Sequence, residues 1–147
     1  MAKESKKHRD LVNQGIAYYE EKGFDVIFDA HDKVSRVRYP TPEPPSLQLS
    51  YVPDIQMRDH TGQEVWVEAE TDENKVVDKI GRLALNYHLY SDFSKILDKV
   101  SEICYCVSDP PLSKFNESED YPKKINEFVK MHDIKTRIKI LVFGFLK

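Results

Sequence analysis

The chain has 147 residues, a size that fits one domain with a hydrophobic core of its own. Hydrophobic residues make up 40% of it and charged residues 32%, which are ordinary proportions for a globular protein. The formal net charge of −3 argues against indiscriminate binding to polyanions, because a domain that coats nucleic acid is usually strongly basic. A local basic groove is still compatible with this charge.

The cysteines and the N-terminus bear on the cellular compartment. Cys104 and Cys106 are the two cysteines of the chain, too few for the disulfide framework of a small secreted domain, and they suit a reducing environment. The N-terminal segment is charged and has no apolar stretch, so it predicts neither a signal peptide nor a membrane span. We therefore expect a cytoplasmic protein with no membrane association.

Helical periodicity opens the chain and strand alternation follows. Apolar residues recur at helical spacing over residues 6–22, and Gly23 supplies a C-terminal stop. Residues 24–30 alternate as a strand does. The next segment, 31–50, is rich in proline and predicts a long surface loop.

Two strands joined by a short turn are predicted next, over residues 51–58 and 64–71. Because side chains alternate between the two faces of a strand, Glu68 and Glu70 are predicted to project to the same face as Trp66. The valines and the alanine between them are predicted to face the other way.

The second half of the chain alternates between helices and strands. An amphipathic helix is predicted after the third strand, continued by a shorter helical piece. Residues 102–109 indicate a buried strand, residues 121–132 a helix, and residues 138–146 a last strand too apolar for an edge that faces water. This order predicts a single α/β domain over residues 1–147, with a mixed sheet flanked by helices.

Acidic residues stand at the ends of two neighbouring predicted strands. Asp54 follows Pro53, and Glu68 and Glu70 flank Ala69. Three carboxylates brought together are what a divalent metal needs to activate water against a phosphodiester. In this placement, with a helix before and after, the residues resemble the motif of the PD-(D/E)XK nuclease superfamily, which includes many restriction endonucleases and archaeal Holliday junction resolvases.

The resemblance implies a restriction endonuclease-like αβββαβ core and a Mg²⁺ or Mn²⁺ ion bound by Asp54, Glu68 and the backbone carbonyl of Ala69. Hard cations prefer oxygen ligands, and Mg²⁺ retains waters that can become the nucleophile. The resemblance also implies that the protein hydrolyses duplex or branched DNA as a homodimer, as small members commonly do. The family often carries a further acidic residue on the first helix, for which Asp10 is the candidate here.

Glu70 departs from the family pattern, because it stands where the family carries a lysine. That lysine commonly orients the attacking water and stabilises developing negative charge. Glu70 could ligate a second metal or act as a general base, and the missing cation could have moved. Lys75 and Lys79 on the following helix are the candidates for that catalytic cation. The alternative is a nuclease-fold domain that has lost catalysis and binds nucleic acid or protein.

Basic residues near the predicted site could form a positive rim for a DNA substrate. Lys33, Arg36 and Arg38 lie at the start of the proline-rich segment, and Arg82 lies on the same helix face as the two lysines. Contacts of this kind would position the DNA backbone and confer little sequence specificity. The same residues also suit a solvated loop and helix face. The histidines, His8 among them, are scattered and show no metal-ligand spacing.

Overall fold

A computed structural model describes residues 6–30, 53–71, 74–108 and 120–143. The predicted loop over residues 31–50, with its three basic residues, lies outside the described residues. None of the described helices is both long enough and apolar enough to cross a membrane. The described residues form four helices and five strands, in the order α1 (Lys6–Glu20), β1 (Asp25–Asp29), β2 (Ile55–Arg58), β3 (Glu64–Glu70), α2 (Asn74–Leu89), α3 (Ser91–Leu97), β4 (Val100–Ser108), α4 (Asp120–Met131) and β5 (Arg137–Phe143).

The five described strands form one open sheet in the order β1-β2-β3-β4-β5. Antiparallel pairing joins β1, β2 and β3, whereas β4 and β5 run parallel to β3. An antiparallel pair needs only a short turn, and Gly62, with a φ of 91°, lies in the turn between β2 and β3. Parallel neighbours need crossover connections, which α2 with α3 and then α4 provide. The predicted α/β class with a mixed sheet is therefore confirmed.

Helices cover both faces of this sheet. On one face, Leu11 and Val12 of α1 join a core that contains Val67 and Ala69 of β3. On the other face, α2, α3 and α4 pack around Trp66. The predicted alternation along β3 is confirmed, because Trp66 and its neighbour Val67 belong to the cores of opposite faces.

Close approach of α1 to the sheet depends on Gly15. A Cβ atom at this position would lie 2.6 Å from Cγ1 of Val67 and 2.7 Å from Sγ of Cys106, which is free and buried like Cys104. Atoms that close overlap, so any larger residue would push α1 away from the sheet. The contact of Gly15 with β3 and β4 thus sets the position of the whole helix, including its N-terminal turn.

The position of β5 differs from the prediction. Its apolar sequence predicts an interior strand, yet β5 lies at the edge of the described sheet, next to β4 alone. Helices cover both of its faces, since Ile138 packs with α4 and Leu141 packs against the core beneath α1. The apolar sequence of β5 therefore indicates that both of its faces are covered, and it does not require a neighbouring strand on each side.

The second strand is also shorter than the prediction. In the described residues β2 begins at Ile55, and Asp54 lies in a bend just before it. The N–H of Ala30, at the end of β1, donates a hydrogen bond of 2.9 Å to the carbonyl oxygen of Asp54. This bend matters for the site, because a residue outside the strand ladder can direct both its backbone N–H and its carboxylate to β3.

Candidate active site

The C-terminal end of β3 brings the predicted acidic residues together. The backbone N–H of Asp54 donates a hydrogen bond of 2.6 Å to Oε1 of Glu68. In return, the N–H of Ala69 donates to Oδ2 of Asp54 at 3.0 Å. These reciprocal hydrogen bonds hold the two carboxylates at adjacent positions at one end of the sheet.

Burial makes the partners of these acids important. Glu68 is 3% exposed and Glu70 is 9% exposed. A buried carboxylate is costly unless positive charge or hydrogen-bond donors compensate it. One compensating charge comes from α2, which follows β3 in sequence.

Lys79 of α2 supplies this positive charge. Its Nζ lies 3.2 Å from Oε2 of Glu70 and 3.5 Å from the backbone carbonyl oxygen of Ala69. Burial lowers the pKa of Lys79, but the charges of Glu68, Asp54 and Glu70 outweigh that effect, so the pKa is raised. Lys79 is therefore a cation at neutral pH and cannot accept a proton there.

His8, in the first turn of α1, is a site residue that the sequence analysis misses. Its Nε2 lies 3.2 Å from Oδ2 of Asp54. Burial raises the pKa of Asp54, but hydrogen bonds from His8 and from the N–H of Ala69, together with the charge of Lys79, lower it to about 2. Asp54 is therefore an anion throughout the neutral pH range.

The spacing of residues along α1 could have identified His8 as a candidate site residue. It precedes Val12 by four residues and Gly15 by seven, so it belongs to the row that faces the sheet. Asp10, the acidic candidate on this helix, is about 200° further around the helix than His8. The first helix therefore presents a histidine, and not an acidic residue, to the carboxylates.

A charged pair fixes the first turn of α1 over the end of β1. Nη1 of Arg9 lies 3.0 Å from Oδ2 of Asp29, and Nη2 lies 3.1 Å from Oδ1. A bidentate pair of this kind restrains direction as well as distance. Because β1 is in turn hydrogen-bonded to the Asp54 bend, this pair helps to keep His8 beside Asp54.

The remaining predicted site residues are less closely tied to the carboxylates. Lys75 lies one turn before Lys79 on α2 and is exposed, and Arg82 is exposed on the same helix. The structure thus distinguishes between two lysines that the sequence left equivalent. The other basic candidates, Lys33, Arg36 and Arg38, lie outside the described residues.

The chemistry of the donors fits a hard divalent cation. Carboxylate oxygens of Asp54 and Glu68 and the carbonyl of Ala69 are ligands of the type that Mg²⁺ and Mn²⁺ prefer, and Mg²⁺ commonly uses one or two carboxylates together with waters. Across the described parts of the chain, no three Asp, Glu, His or Cys side chains are placed to hold one ion jointly. The residues therefore fit a site of two carboxylates and a carbonyl, while Glu70 contacts Lys79.

Comparison of the chain with protein-family models, curated proteins and solved structures finds no match. The resemblance to PD-(D/E)XK nucleases therefore rests on the residues and the geometry described above.

Proposed function

We propose that this protein is a metal-dependent nuclease with a restriction endonuclease-like core, which hydrolyses DNA phosphodiester bonds with a metal-activated water. The observation that carries the proposal is the meeting of Asp54, Glu68 and the Ala69 carbonyl beside the half-buried cation of Lys79. The order of a helix, three strands, helices and a strand around these residues supports it.

Asp54 and Glu68 would hold the metal together with the carbonyl of Ala69. When bound, Mg²⁺ or Mn²⁺ acts as a Lewis acid on the phosphate and lowers the pKa of a water molecule. Asp54 is suited to its part because its carboxylate stays ionised, with a pKa of about 2. The hydrogen bond from Ala69 N–H orients that carboxylate before any ion binds.

Lys79 takes the role of the lysine that the family motif carries at the position of Glu70. Its cation lies beside Ala69 and Glu70, although it comes from α2 rather than from β3. A positioned ammonium group stabilises negative charge that develops on phosphate oxygens, and it can donate a hydrogen bond to the attacking water. Glu70 then acts as a positioning residue for Lys79.

Several expectations from the resemblance extend this proposal. Lys75 and Arg82, exposed on α2, would contact the DNA backbone near the site, and Lys33, Arg36 and Arg38 would add to the positive rim. A homodimer would present two such sites to a duplex or a branched substrate.

A second candidate function is a nuclease-fold module without catalysis that binds nucleic acid or protein. The observation in its favour is that Lys79 already compensates the charge of Glu70 and contacts the Ala69 carbonyl. Such a module would not hydrolyse DNA with any divalent metal.

The deciding experiment measures cleavage of linear, circular and four-way-junction DNA with Mg²⁺ or Mn²⁺. Asp54→Asn and Glu68→Gln should each reduce the rate by more than about a thousandfold, or about 4 kcal/mol, because each removes a metal ligand. Glu64→Gln is the matched control, since Glu64 is a buried glutamate at the other end of β3, and it should retain activity.

Cleavage by the parent and by Glu64→Gln, but not by the two ligand variants, would establish the enzyme. Cleavage at the parental rate by both ligand variants would refute the assignment of the site. No cleavage of any of the three substrates by the parent would favour the inactive module.

A further inference from the structure

Two histidines from different helices face each other where the C-terminal ends of α2 and α4 meet. Nε2 of His88, near the end of α2, lies 3.0 Å from Nδ1 of His132, which directly follows α4. At this distance one ring nitrogen donates a hydrogen bond to the other, and the tautomers decide which of them is the donor. The two residues are 44 positions apart in the chain, so no spacing in the sequence reveals the pair. The proposed function uses neither of them.

The backbone holds both histidines in place. His88 lies within the last turn of α2. At the end of α4 the chain makes a tight turn, in which the N–H groups of His132 and Ile134 both donate hydrogen bonds of 3.1 Å to the carbonyl oxygen of Val129. The positions from which the two imidazoles project are therefore fixed by regular backbone hydrogen bonds.

A neighbouring aromatic ring restrains each imidazole. The ring centroid of Phe128 lies 4.7 Å from that of His132, and the ring centroid of Tyr87 lies 5.7 Å from that of His88. Both contacts are of the edge type. Side chains that are already restrained lose less freedom when they bind a ligand than free side chains do.

The surroundings of the pair favour a cation. The hydroxyl of Tyr87 donates a hydrogen bond of 2.8 Å to Oδ1 of Asp98. This bond raises the pKa of Tyr87, and burial and the charges of Asp98 and Asp133 raise it further, so both carboxylates act close to the ring that contacts His88. The C-terminal ends of two helices also meet here, and such ends carry partial negative charge.

The distance between the two nitrogens fits a metal ion that prefers imidazole ligands. Imidazole nitrogens bind Zn²⁺ at about 2.0–2.1 Å. With bonds of this length, two nitrogens are about 2.9 Å apart at the right angle of a square-planar or octahedral ion, and about 3.3 Å apart at the tetrahedral angle. The observed 3.0 Å lies between these values. A rotation of the rings that directs both lone pairs at one point is sufficient to bind an ion, and the helices need not move.

We infer that His88 and His132 bind one divalent transition-metal ion of the class that prefers imidazole, such as Ni²⁺, Cu²⁺ or Zn²⁺, with water molecules completing its coordination. No third Asp, Glu, His or Cys side chain in the described parts of the chain is placed to join them. The bound ion takes the place of the shared proton and links α2 to α4.

This site is separate from the proposed catalytic metal site. Lys79, beside the carboxylates of β3, lies about 14 Å along α2 from His88. The chemistry also differs, because the oxygen ligands of the candidate active site suit the hard ions Mg²⁺ and Mn²⁺, whereas imidazoles suit Ni²⁺, Cu²⁺ and Zn²⁺. The inference goes beyond the proposed function and does not depend on it.

Calorimetric titration with Ni²⁺ tests the site. His88→Ala and His132→Ala should each bind Ni²⁺ at least about tenfold more weakly than the parent, because a second ligand already held in place strengthens binding. His88→Gln can still form a hydrogen bond with His132 but supplies no imidazole, so it should lose affinity as His88→Ala does. His60→Ala, an exposed histidine in the turn between β2 and β3, is the control and should bind Ni²⁺ like the parent.

Urea unfolding and the spectrum of bound Cu²⁺ provide two further measurements. Ni²⁺ should raise the unfolding midpoint of the parent and of Asp54→Asn, which lacks a proposed ligand of the catalytic metal, because a ligand of the folded state stabilises it. It should raise the midpoint of His132→Ala much less. Midpoints measured in EDTA identify any variant that fails to fold. The electron paramagnetic resonance spectrum of bound Cu²⁺ should show coupling to two imidazole nitrogens.

Equal Ni²⁺ affinity in the parent and in His88→Gln or His132→Ala would overturn the inference. So would a parent that does not bind Ni²⁺, a Cu²⁺ spectrum with a single imidazole, or a site that Asp54→Asn loses and the histidine variants keep. None of these measurements uses DNA cleavage. A protein that binds Ni²⁺ through this pair but cleaves no DNA would refute the catalytic proposal and leave the histidine site intact.

Discussion

The buried glutamates at the two ends of β3 have different kinds of partners. Glu64, at the N-terminal end, is 4% exposed, much like Glu68 at 3% and Glu70 at 9%. Its Oε2 accepts a hydrogen bond of 2.7 Å from Nε1 of Trp66, and its Oε1 lies 3.0 Å from Nη2 of Arg58. Both of these partners belong to Glu64's own hairpin, so a local structure satisfies this carboxylate.

At the C-terminal end the partners come from distant parts of the chain. Lys79 comes from α2, His8 from α1, and the Asp54 backbone from the bend before β2. The pKa values of the acids differ accordingly. For Glu64 the effect of burial exceeds that of its hydrogen-bond donors, so the pKa of Glu64 is raised. For Asp54 the hydrogen-bond donors and the charge of Lys79 exceed the effect of burial, so the pKa of Asp54 is lowered to about 2.

The comparison shows that burial alone does not identify a functional acid. All three glutamates of β3 are buried, but one has local structural partners and two lie where several elements converge. Carboxylates on which several elements converge suit the proposed metal site better than a carboxylate whose hydrogen-bond partners lie in its own hairpin.

Among variants that keep both proposed metal ligands, Lys79→Met should have the largest effect on activity, because it removes the cation from the C-terminal end of β3. We expect a loss of about a hundredfold to a thousandfold in the single-turnover cleavage rate, as for removal of one group that stabilises developing charge. Lys79→Arg should recover part of the rate. Lys95→Met, an exposed lysine of α3, is the control. An unchanged rate in Lys79→Met would remove the distinction between the two ends of β3.

Glu64→Leu should affect stability and not catalysis. It leaves Nε1 of Trp66 buried without its acceptor, so we expect a loss of about 1–3 kcal/mol in the free energy of unfolding. Glu64→Gln keeps an acceptor and should cost less. Urea titration measures the stability, and cleavage per folded molecule should stay at the parental level. A large loss of activity without destabilisation would contradict a purely structural role for Glu64.

The pH dependence of stability should have opposite signs at the two ends. The folded pKa of Asp54 is about 2, below the ordinary value of 3.8, so its stabilisation is present above 3.8 and is lost as the pH falls towards 2. The effect is about 2 kcal/mol. The pKa of Glu64 is raised above 4.5, so its contribution is present below 4.5 and is lost as the pH rises through the folded pKa.

Urea titrations in EDTA at a series of pH values test this difference. The destabilisation caused by Asp54→Asn, relative to the parent, should grow as the pH rises from 2 towards 4. The destabilisation caused by Glu64→Gln should shrink as the pH rises through the folded pKa of Glu64. If the destabilisation relative to the parent changed with pH in the same direction for both variants, the two ends of β3 would be electrostatically alike.

His8→Ala should reduce activity by about tenfold, less than Lys79→Met does, because His8 acts through Asp54. Loss of the contact between His8 and Asp54 leaves the Asp54 carboxylate less firmly oriented, which weakens metal binding. Activity should therefore recover at higher Mg²⁺ concentration, a response that a general loss of stability would not show. The control is His60→Ala, in the exposed turn between β2 and β3. An equal loss at all Mg²⁺ concentrations would argue against positioning through Asp54.

Most of the elements follow from local sequence patterns. The ends of α1, β3 and α4 lie within about two residues of the predicted ones, because apolar periodicity reports how a segment meets its nearest neighbours. The edge position of β5 could not be predicted in this way. A strand covered by helices on both faces has the same apolar sequence whether one or two strands flank it.

The sequence by itself determined that Glu68 and Glu70 share a face of β3 and that Asp54 precedes the neighbouring strand, because alternation and turn formation are local properties of an extended chain. Only the tertiary structure decided which groups stand opposite them. Lys79 rather than Lys75 reaches the carboxylates, and His8 joins them from α1. The register of a helix on a sheet depends on how whole surfaces pack, as the fit of α1 at Gly15 shows.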